Sequence, residues 1–388
     1  MISVNEALDH LFSLSQTLPA ETVSLLQAHG RVLRADCVST RNQPPFPASA
    51  MDGYAVVSAE TGDTLTVIGE SAAGHAFDGS VAAGQAVRIF TGAPVPEGAT
   101  RIVIQEDVDR DGDQITIKPD ADTKSYIRPA GNDFAEGFTL KAPLRITPND
   151  LALMASMNCP EVTVSKRPKV ALISTGDELV MPGETPGPDQ IIASNTFGLY
   201  AMLRKAGADV RLLPIARDTI NSLQTVLGFV EDADLVITIG GASVGDHDLV
   251  AQAAEGLGLE RSFYKVAMRP GKPLMAGRLK HAMMVGLPGN PVSAMVCGRI
   301  FVVPLLHAMM GLPATPVERQ KGLLLNDIGQ NGPREHYMRA HLTAEGLHVA
   351  DRQDSALLSV LSASNALAVR APHDPARKAG DVIEFITI

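Results

Sequence analysis

Apolar positions along this chain change period several times, and each change marks a boundary between elements. Val4, Leu8, Leu11 and Phe12 fall on one face at helical spacing. Leu25, Leu26, Val32 and Leu33 extend an apolar pattern, so residues 1–35 read as helical. The run Asn42-Gln43-Pro44-Pro45-Phe46-Pro47 ends any helix, because proline lacks an amide donor and restricts the residue before it. From Tyr54 to about Leu140 short β-rich runs take over, at 65–68, 86–90, 102–104 and 114–117, separated by Gly- and Asp-bearing turns. Residues 148–158 return to helix, with Pro148 and Asp150 suited to its start.

The clearest periodicity lies between residues 168 and 310. A strand at 169–174 is followed by a helix at 195–205, a strand at 209–214, a helix at 220–230 and a strand at 235–239. Gly207 stands where the first of these helices would end in a left-handed conformation. Asn290 and Pro291 suit the cap and first residue of a later one. Beyond a linker at 311–316, strands are expected at 323–325, 336–342, 348–350 and 382–387.

The predicted fold class is therefore multidomain α/β plus β. A helical N-terminal unit is built from 1–45 with 141–167, and a β-rich domain is inserted at 46–140. A central, mostly parallel α/β domain occupies 168–312, and a small β-barrel or sandwich occupies 317–388. Ligands of such a sheet gather at the carboxyl ends of its strands.

The length of 388 residues suits two or three cores, and an apolar share of 45% supplies them. With 33 Lys and Arg against 43 Asp and Glu, the formal charge of -10 argues against a general nucleic-acid binder and leaves room for a local basic pocket. Cys37, Cys159 and Cys297 share no close spacing, so neither a zinc knuckle nor a disulfide framework is indicated and a reducing compartment fits. No secretory leader is apparent, and no segment is expected to reach the roughly 18 apolar residues of a membrane span, since Pro304 and His307 interrupt 300–310. Cytoplasm is the expected location. The ten histidines show no metal-ligand spacing, no GxSxG is present, and Cys297 sits in an apolar helix pattern as buried thiols do.

Four loops carry candidate chemistry. Ser174-Thr175-Gly176-Asp177-Glu178-Leu179 follows an apolar strand, where its hydroxyls and carboxylates either cap a helix or hold hydrated magnesium. Gly240-Gly241-Ala242-Ser243-Val244-Gly245-Asp246 follows another strand. Its glycines let amides approach a phosphate, yet it matches neither the Walker nor the dinucleotide pattern. Lys265, Arg269 and Lys272 surround the Pro270-Gly271 turn and read either as an anion pocket or as a solvated basic loop. Pro45-Phe46-Pro47 with Met51-Asp52-Gly53-Tyr54, and later Thr91-Gly92-Ala93-Pro94, present polar tips on stiffened segments, or simply link domains.

In this order, together with Gly286-Leu287-Pro288-Gly289-Asn290-Pro291-Val292-Ser293, these motifs resemble the molybdopterin molybdenumtransferase family, to which the E domain of gephyrin is related, over nearly the whole chain. The resemblance implies that 168–312 is a molybdopterin-binding domain. It implies a magnesium-dependent transferase of molybdenum cofactor synthesis, in which molybdate displaces AMP from adenylylated molybdopterin. It implies a homodimer with composite active sites, and it leaves room for contact with a molybdopterin adenylyltransferase. Carried over residue by residue, Asp52 and Thr91 match pocket residues donated across the dimer, and Lys265, Arg269 and Lys272 match the anion-binding segment. Ser243 lies on the matching glycine loop. Glu178, Asp218 and Asp248 match acidic positions implicated in magnesium or substrate handling, Glu178 in both, while Ser293, Arg334 and Ser355 match molybdate-binding positions. The family often has lysine at Arg269 and glycine after Ser355. An adenylyltransferase would resemble the α/β segment alone, and a receptor-clustering scaffold would be expected to carry a second domain or long linker.

Overall fold

Val170-Ala171-Leu172-Ile173 is apolar on both of its faces, a pattern that suits a strand covered from two sides. In the computed structural model, which describes residues 1–241 and 249–388, this segment is strand Lys169–Ser174 at the heart of an α/β sheet. Among the described residues the sheet has six strands, in the order Asp209–Leu212, Lys169–Ser174, Leu235–Ile239, Ala282–Leu287, Pro273–Leu279 and Leu259–Lys265. The first four run parallel, Pro273–Leu279 runs against them, and Leu259–Lys265 pairs antiparallel with Pro273–Leu279. Register places Ser174 opposite Ile239, and Ile239 opposite Leu287, so three strands end level at one edge. The loops leaving that edge contain three of the sequence motifs.

The chain forms two units. One comprises Met1–Glu21, Gly30–Arg34 and Val164–Ile388, and the other Thr22–His29 and Ala35–Thr163. In the first unit, helix Val4–Leu14 is closed by a reciprocal cap between Ser3 and Glu6 and buries Val4, Ala7, Leu8 and Leu11. These side chains join the core of the α/β sheet, so this helix packs there and not with residues 141–167. Helix Asn195–Lys205 ends before Gly207, whose φ of +108° matches the expected left-handed stop.

Pro291 opens a helical stretch that continues through a π-helical segment, Gly298–Val302, into Val303–Met309. The wider π turn accommodates Pro304 within a continuous helix. Contrary to the sequence expectation, Pro291–Met309 is therefore long and apolar enough to cross a membrane by length and composition, but 83% of its apolar 18-residue window is buried inside the protein, as in a core helix. The C-terminal strands form one sheet in the order Met268–Arg269, Glu335–Leu342, Ala366–Arg370, Val382–Thr387 and Gln320–Leu323, with Leu347–Val349 beside Glu335–Leu342. Tyr337, Leu367, Val369 and Ile386 share the core of the α/β domain.

In the second unit a sheet orders Arg101–Ile104, Gly53–Val56, Gln85–Ile89, Thr64–Ser71, Gln114–Ile117 and Val108–Asp111 among the described residues. Helix Pro148–Ser156 is N-capped by Thr147 and packs beside the single turn Leu25–Ala28. Residues 20–33, expected to be helical, instead form strand Ala20–Ser24, that turn, and strand Val32–Leu33. Pro19 removes an amide donor, β-branched Thr22 and Val23 favour strand, and Gly30 adopts a φ of +71° that stops the helix after one turn.

Candidate functional site

In the second unit, Asp52 ends a turn just before strand Gly53–Val56. Its Oδ1 accepts from the backbone N–H of Thr91 at 2.6 Å and from the Thr91 hydroxyl at 2.7 Å. These two bonds, helped by the Arg88 guanidinium, hold the Asp52 carboxyl below its ordinary range. Gly53 is required here, because a Cβ would overlap the Val103 carbonyl oxygen. Arg88 lies over the rings of Tyr54 and Phe90 and donates to Gly53 O and Gln105 Oε1. Asp52 and Thr91, nominated from separate motifs, thus form one hydrogen-bonded tip.

In the first unit, the level strand ends of the α/β sheet gather the other groups. Gly176 donates to Ala216 O, and the Glu178 carboxylate folds back over Gly176. Asp218 N–H donates to Asp177 Oδ1 at 3.2 Å, and Arg217 Nη1 binds the carbonyls of Gly176, Asp177 and Leu179. Arg217 was not singled out in the sequence, although an arginine beside a nominated acid at a strand end was its signal. Thr219, not Asp218, caps helix Ile220–Leu227, its hydroxyl accepting from Ser222 N–H. Asp218 is consequently exposed and free of a capping role. Ser243 and Asp248 lie outside the described residues.

The basic segment is a closed loop in which Val266 N–H donates to Lys272 O at 3.0 Å. Gly271 has a φ of +108° and leaves no space for a Cβ, which would strike Cys297 Sγ. Lys265 Nζ lies over the Tyr264 ring, while Arg269 and Lys272 are exposed. Met268–Arg269 pairs in parallel with Glu335 and His336, so the loop is tied to the C-terminal sheet. Arg334 donates from Nη1 to Met268 O at 3.3 Å, where it supports that loop.

Arg339, five residues further on, was missed. It is fully buried and donates from Nη2 to Asp354 O at 2.9 Å and to Arg352 O at 3.4 Å. Its Nε and Nη1 have no hydrogen-bond partner among the described residues. Burial and the neighbouring Arg269 pull its guanidinium down to about 10. Next to the Asp354 carbonyl, Ser355 Oγ accepts from Asn290 Nδ2 at 3.0 Å, and Ser355 O accepts from Val292 N–H at 3.0 Å. Ser293 is buried in the first turn of the same helix. The signal for Arg339 was its place two residues from Tyr337, on one face of an expected strand.

Neutral acceptors cannot balance a buried guanidinium with two unpartnered nitrogens, whereas an oxyanion can accept from both. Among the described residues, no group of three His, Cys, Asp or Glu side chains is placed to hold a metal ion. Of the three acids nominated for magnesium, Glu178 and Asp218 are described and Asp248 is not, so the described residues alone do not complete such a site.

An α/β domain with level strand ends, joined through a basic loop to a small C-terminal sheet, defines a multidomain α/β protein with a candidate anion site. Family models name its class. A probable molybdopterin binding domain matches residues 171–308, the MoeA N-terminal region (domain I and II) residues 2–158, and the MoeA C-terminal region (domain IV) residues 321–388. The chain is 34% identical to a molybdopterin molybdenumtransferase of Nostoc sp. over 95% of this chain and 90% of that one. It is 39% identical to molybdopterin molybdenumtransferase 2 of Mycobacterium tuberculosis over 83% of each. The solved molybdopterin biosynthesis moeA protein of Pyrococcus horikoshii OT3 is similar throughout, with a TM-score of 0.84, 26% identity and full coverage of both chains. The chain belongs to the molybdopterin molybdenumtransferase family.

Proposed function

We propose that this chain inserts molybdenum into molybdopterin, taking molybdate as the metal source and adenylylated molybdopterin as the acceptor and releasing AMP. The transferase activity follows from the family. The observation that carries our reading of the site is the Arg339 guanidinium, buried with Nε and Nη1 unpartnered beside the Asn290–Ser355 bridge. Arg339 is the planar donor that a tetrahedral oxyanion would meet, and Ser355 still has a hydroxyl proton to donate once its oxygen accepts from Asn290. Arg269, Lys272 and Ser293 complete the molybdate side. In this reading Arg334 supports the loop through Met268 and does not itself bind the anion.

The reaction needs charge neutralisation more than a protein nucleophile. The exposed cations of the Lys265–Lys272 loop attract the phosphate-bearing substrate, and the cations that bind it also stabilise the departing phosphate. Ser243 and the glycine loop after Ile239 belong to the same substrate side. Magnesium, held by Glu178, Asp218 and Asp248, is part of this proposal, and its fit rests on Asp248 joining the other two. The Asp52–Thr91 tip is proposed to serve the site of a second copy in a homodimer, and the enzyme to work in the cytoplasm, where contact with an adenylyltransferase would supply its substrate.

Calorimetric titration with molybdate tests the site. Arg339→Lys and Ser355→Ala should each weaken binding by about tenfold or more, equivalent to roughly 1.4 kcal/mol. Unchanged affinity in both, with folding retained, would move the molybdate site elsewhere. Following AMP release and cofactor formation at varied magnesium in Glu178→Ala, Asp218→Ala and Asp248→Ala tests the metal separately, and normal magnesium activation in all three would remove it from these residues.

A further inference from the structure

Cys37 and Cys159, far apart in sequence and unrelated by spacing, meet in the second unit. Their Sγ atoms are 2.8 Å apart across a sequence separation of 122 residues. Both are free thiols. We propose that Cys37 and Cys159 are a redox pair, converted by a peroxide to an intramolecular disulfide that joins the two ends of segment 35–163.

The backbone holds the pair from both sides. Cys37 and Val38 pair with Leu140 and Thr139, Ser39 N–H donates to Phe138 O, and Thr40 N–H donates to Met157 O. On the other side, Cys159 N–H donates to Met154 O at 3.0 Å, and Asn158 Nδ2 reaches Thr40 Oγ1. A disulfide bond of roughly 2.05 Å therefore requires only small side-chain rotations. The two sulfurs differ in access, since Cys37 is 6% exposed and Cys159 is partly exposed. Burial and the adjoining sulfur push the Cys37 thiol up to about 12, which leaves the first attack to Cys159.

The chemistry balances with peroxide as the oxidant. Cys159 thiolate attacks one peroxide oxygen and breaks the O–O bond, giving a sulfenic acid and, after protonation, water. Cys37 sulfur then attacks the Cys159 sulfur, the S–O bond breaks, and the hydroxyl leaves as a second water with the Cys37 proton. Two thiols lose two electrons, and one peroxide is reduced to two waters.

Segment 35–163 of the second unit starts two residues before Cys37 and ends four residues after Cys159. A bond between them closes nearly all of it into one loop. Long closed loops restrict the unfolded chain most, so the oxidised unit should resist heat and proteases better than the reduced one. The backbone contacts that hold the pair all lie within the second unit. The pair thus acts on the persistence of the β-unit and not on the chemistry.

The test uses the full chain, reduced, freed of reductant and treated with hydrogen peroxide. Of three cysteines, only Cys297, fully buried at the end of helix Pro291–Cys297, should remain titratable as a thiol after denaturation. Peptides containing Cys37 and Cys159 should be joined under non-reducing conditions, and reductant should reverse both the link and a rise in melting temperature. Cys159→Ser should abolish the rise. Three surviving thiols, disulfides between chains, or a Cys159 sulfinic acid beside a reduced Cys37 would each overturn the proposal. The wild-type thiol count decides the question even where a serine variant folds poorly.

Discussion

Asn290 gives its side chain to Ser355, not to the helix that it precedes: Nδ2 reaches Ser355 Oγ at 3.0 Å, while the Ser355 carbonyl accepts from Val292 N–H. A residue distant in sequence thus satisfies an open amide of the helix, and the usual cap residue orients a hydroxyl instead. Asn290→Ala should cost about 0.5–1.5 kcal/mol in thermal unfolding, the value of one hydrogen bond, and should weaken molybdate binding with it. Binding at wild-type strength in this variant would mean that the Ser355 hydroxyl needs no such positioning.

Arg339→Met separates a binding role from a structural one. If the unpartnered guanidinium serves an anion, its apolar replacement should leave the ligand-free protein within about 1 kcal/mol of wild type, because an uncompensated buried charge is removed together with its bonds. Molybdate-induced stabilisation should disappear in the same melting experiment. A large loss of stability with molybdate response intact would assign Arg339 to the fold.

The Asp52 carboxyl, held low first by Thr91 N–H and then by its hydroxyl, should titrate upward in Thr91→Val. The sign follows from linkage: a depressed carboxyl stabilises the folded state above its unfolded value of 3.8 and loses that effect as pH falls through the folded value. NMR titration of Asp52 in both proteins reads the shift directly. An identical curve would show that the hydroxyl bond contributes nothing in solution.

His336 is buried beside Arg269, Arg339, Arg370 and Arg334, and burial first, then these charges, pull its imidazole down to about 3. Between pH 6.5 and about 3 the unfolded chain takes up a proton that the folded chain refuses, so stability falls as pH drops through this window. Urea unfolding at pH 7 and pH 5 should show a smaller loss in His336→Leu than in wild type. Equal losses would place the imidazole in a protonatable setting.

Gly53→Ala should disable the Asp52 tip through the fold. A methyl group would overlap Val103 O inside the sheet, at a cost above about 2 kcal/mol, read as earlier melting of the β-unit while the α/β unit is spared.

Strands Lys169–Ser174 and Leu235–Ile239 and helix Asn195–Lys205 were legible to the residue, because each is bounded by a polar or glycine break and buried in a pattern of one period. Residues 20–33 were not, since leucines alone cannot separate one helical turn from the strands beside it. The loops of the site were visible as motifs. The contacts that give them meaning were not, because Arg339 meets Asp354, Asn290 meets Ser355 and Cys37 meets Cys159 only through tertiary packing. Arg334 and Arg339 show the same limit: five residues apart, the first lies half-buried just before strand Glu335–Leu342 and the second fully buried within it.

The apolar helix Pro291–Met309 also bears on how the chain is made. Every strand of the α/β sheet that covers it ends by Leu287, so when this stretch leaves the ribosome that sheet has already been synthesised, and only C-terminal partners such as Ser355 and Thr387 follow. Vectorial synthesis gives the segment an immediate place to dock, where the opposite order would have left a span-length hydrophobic helix waiting in water for a sheet.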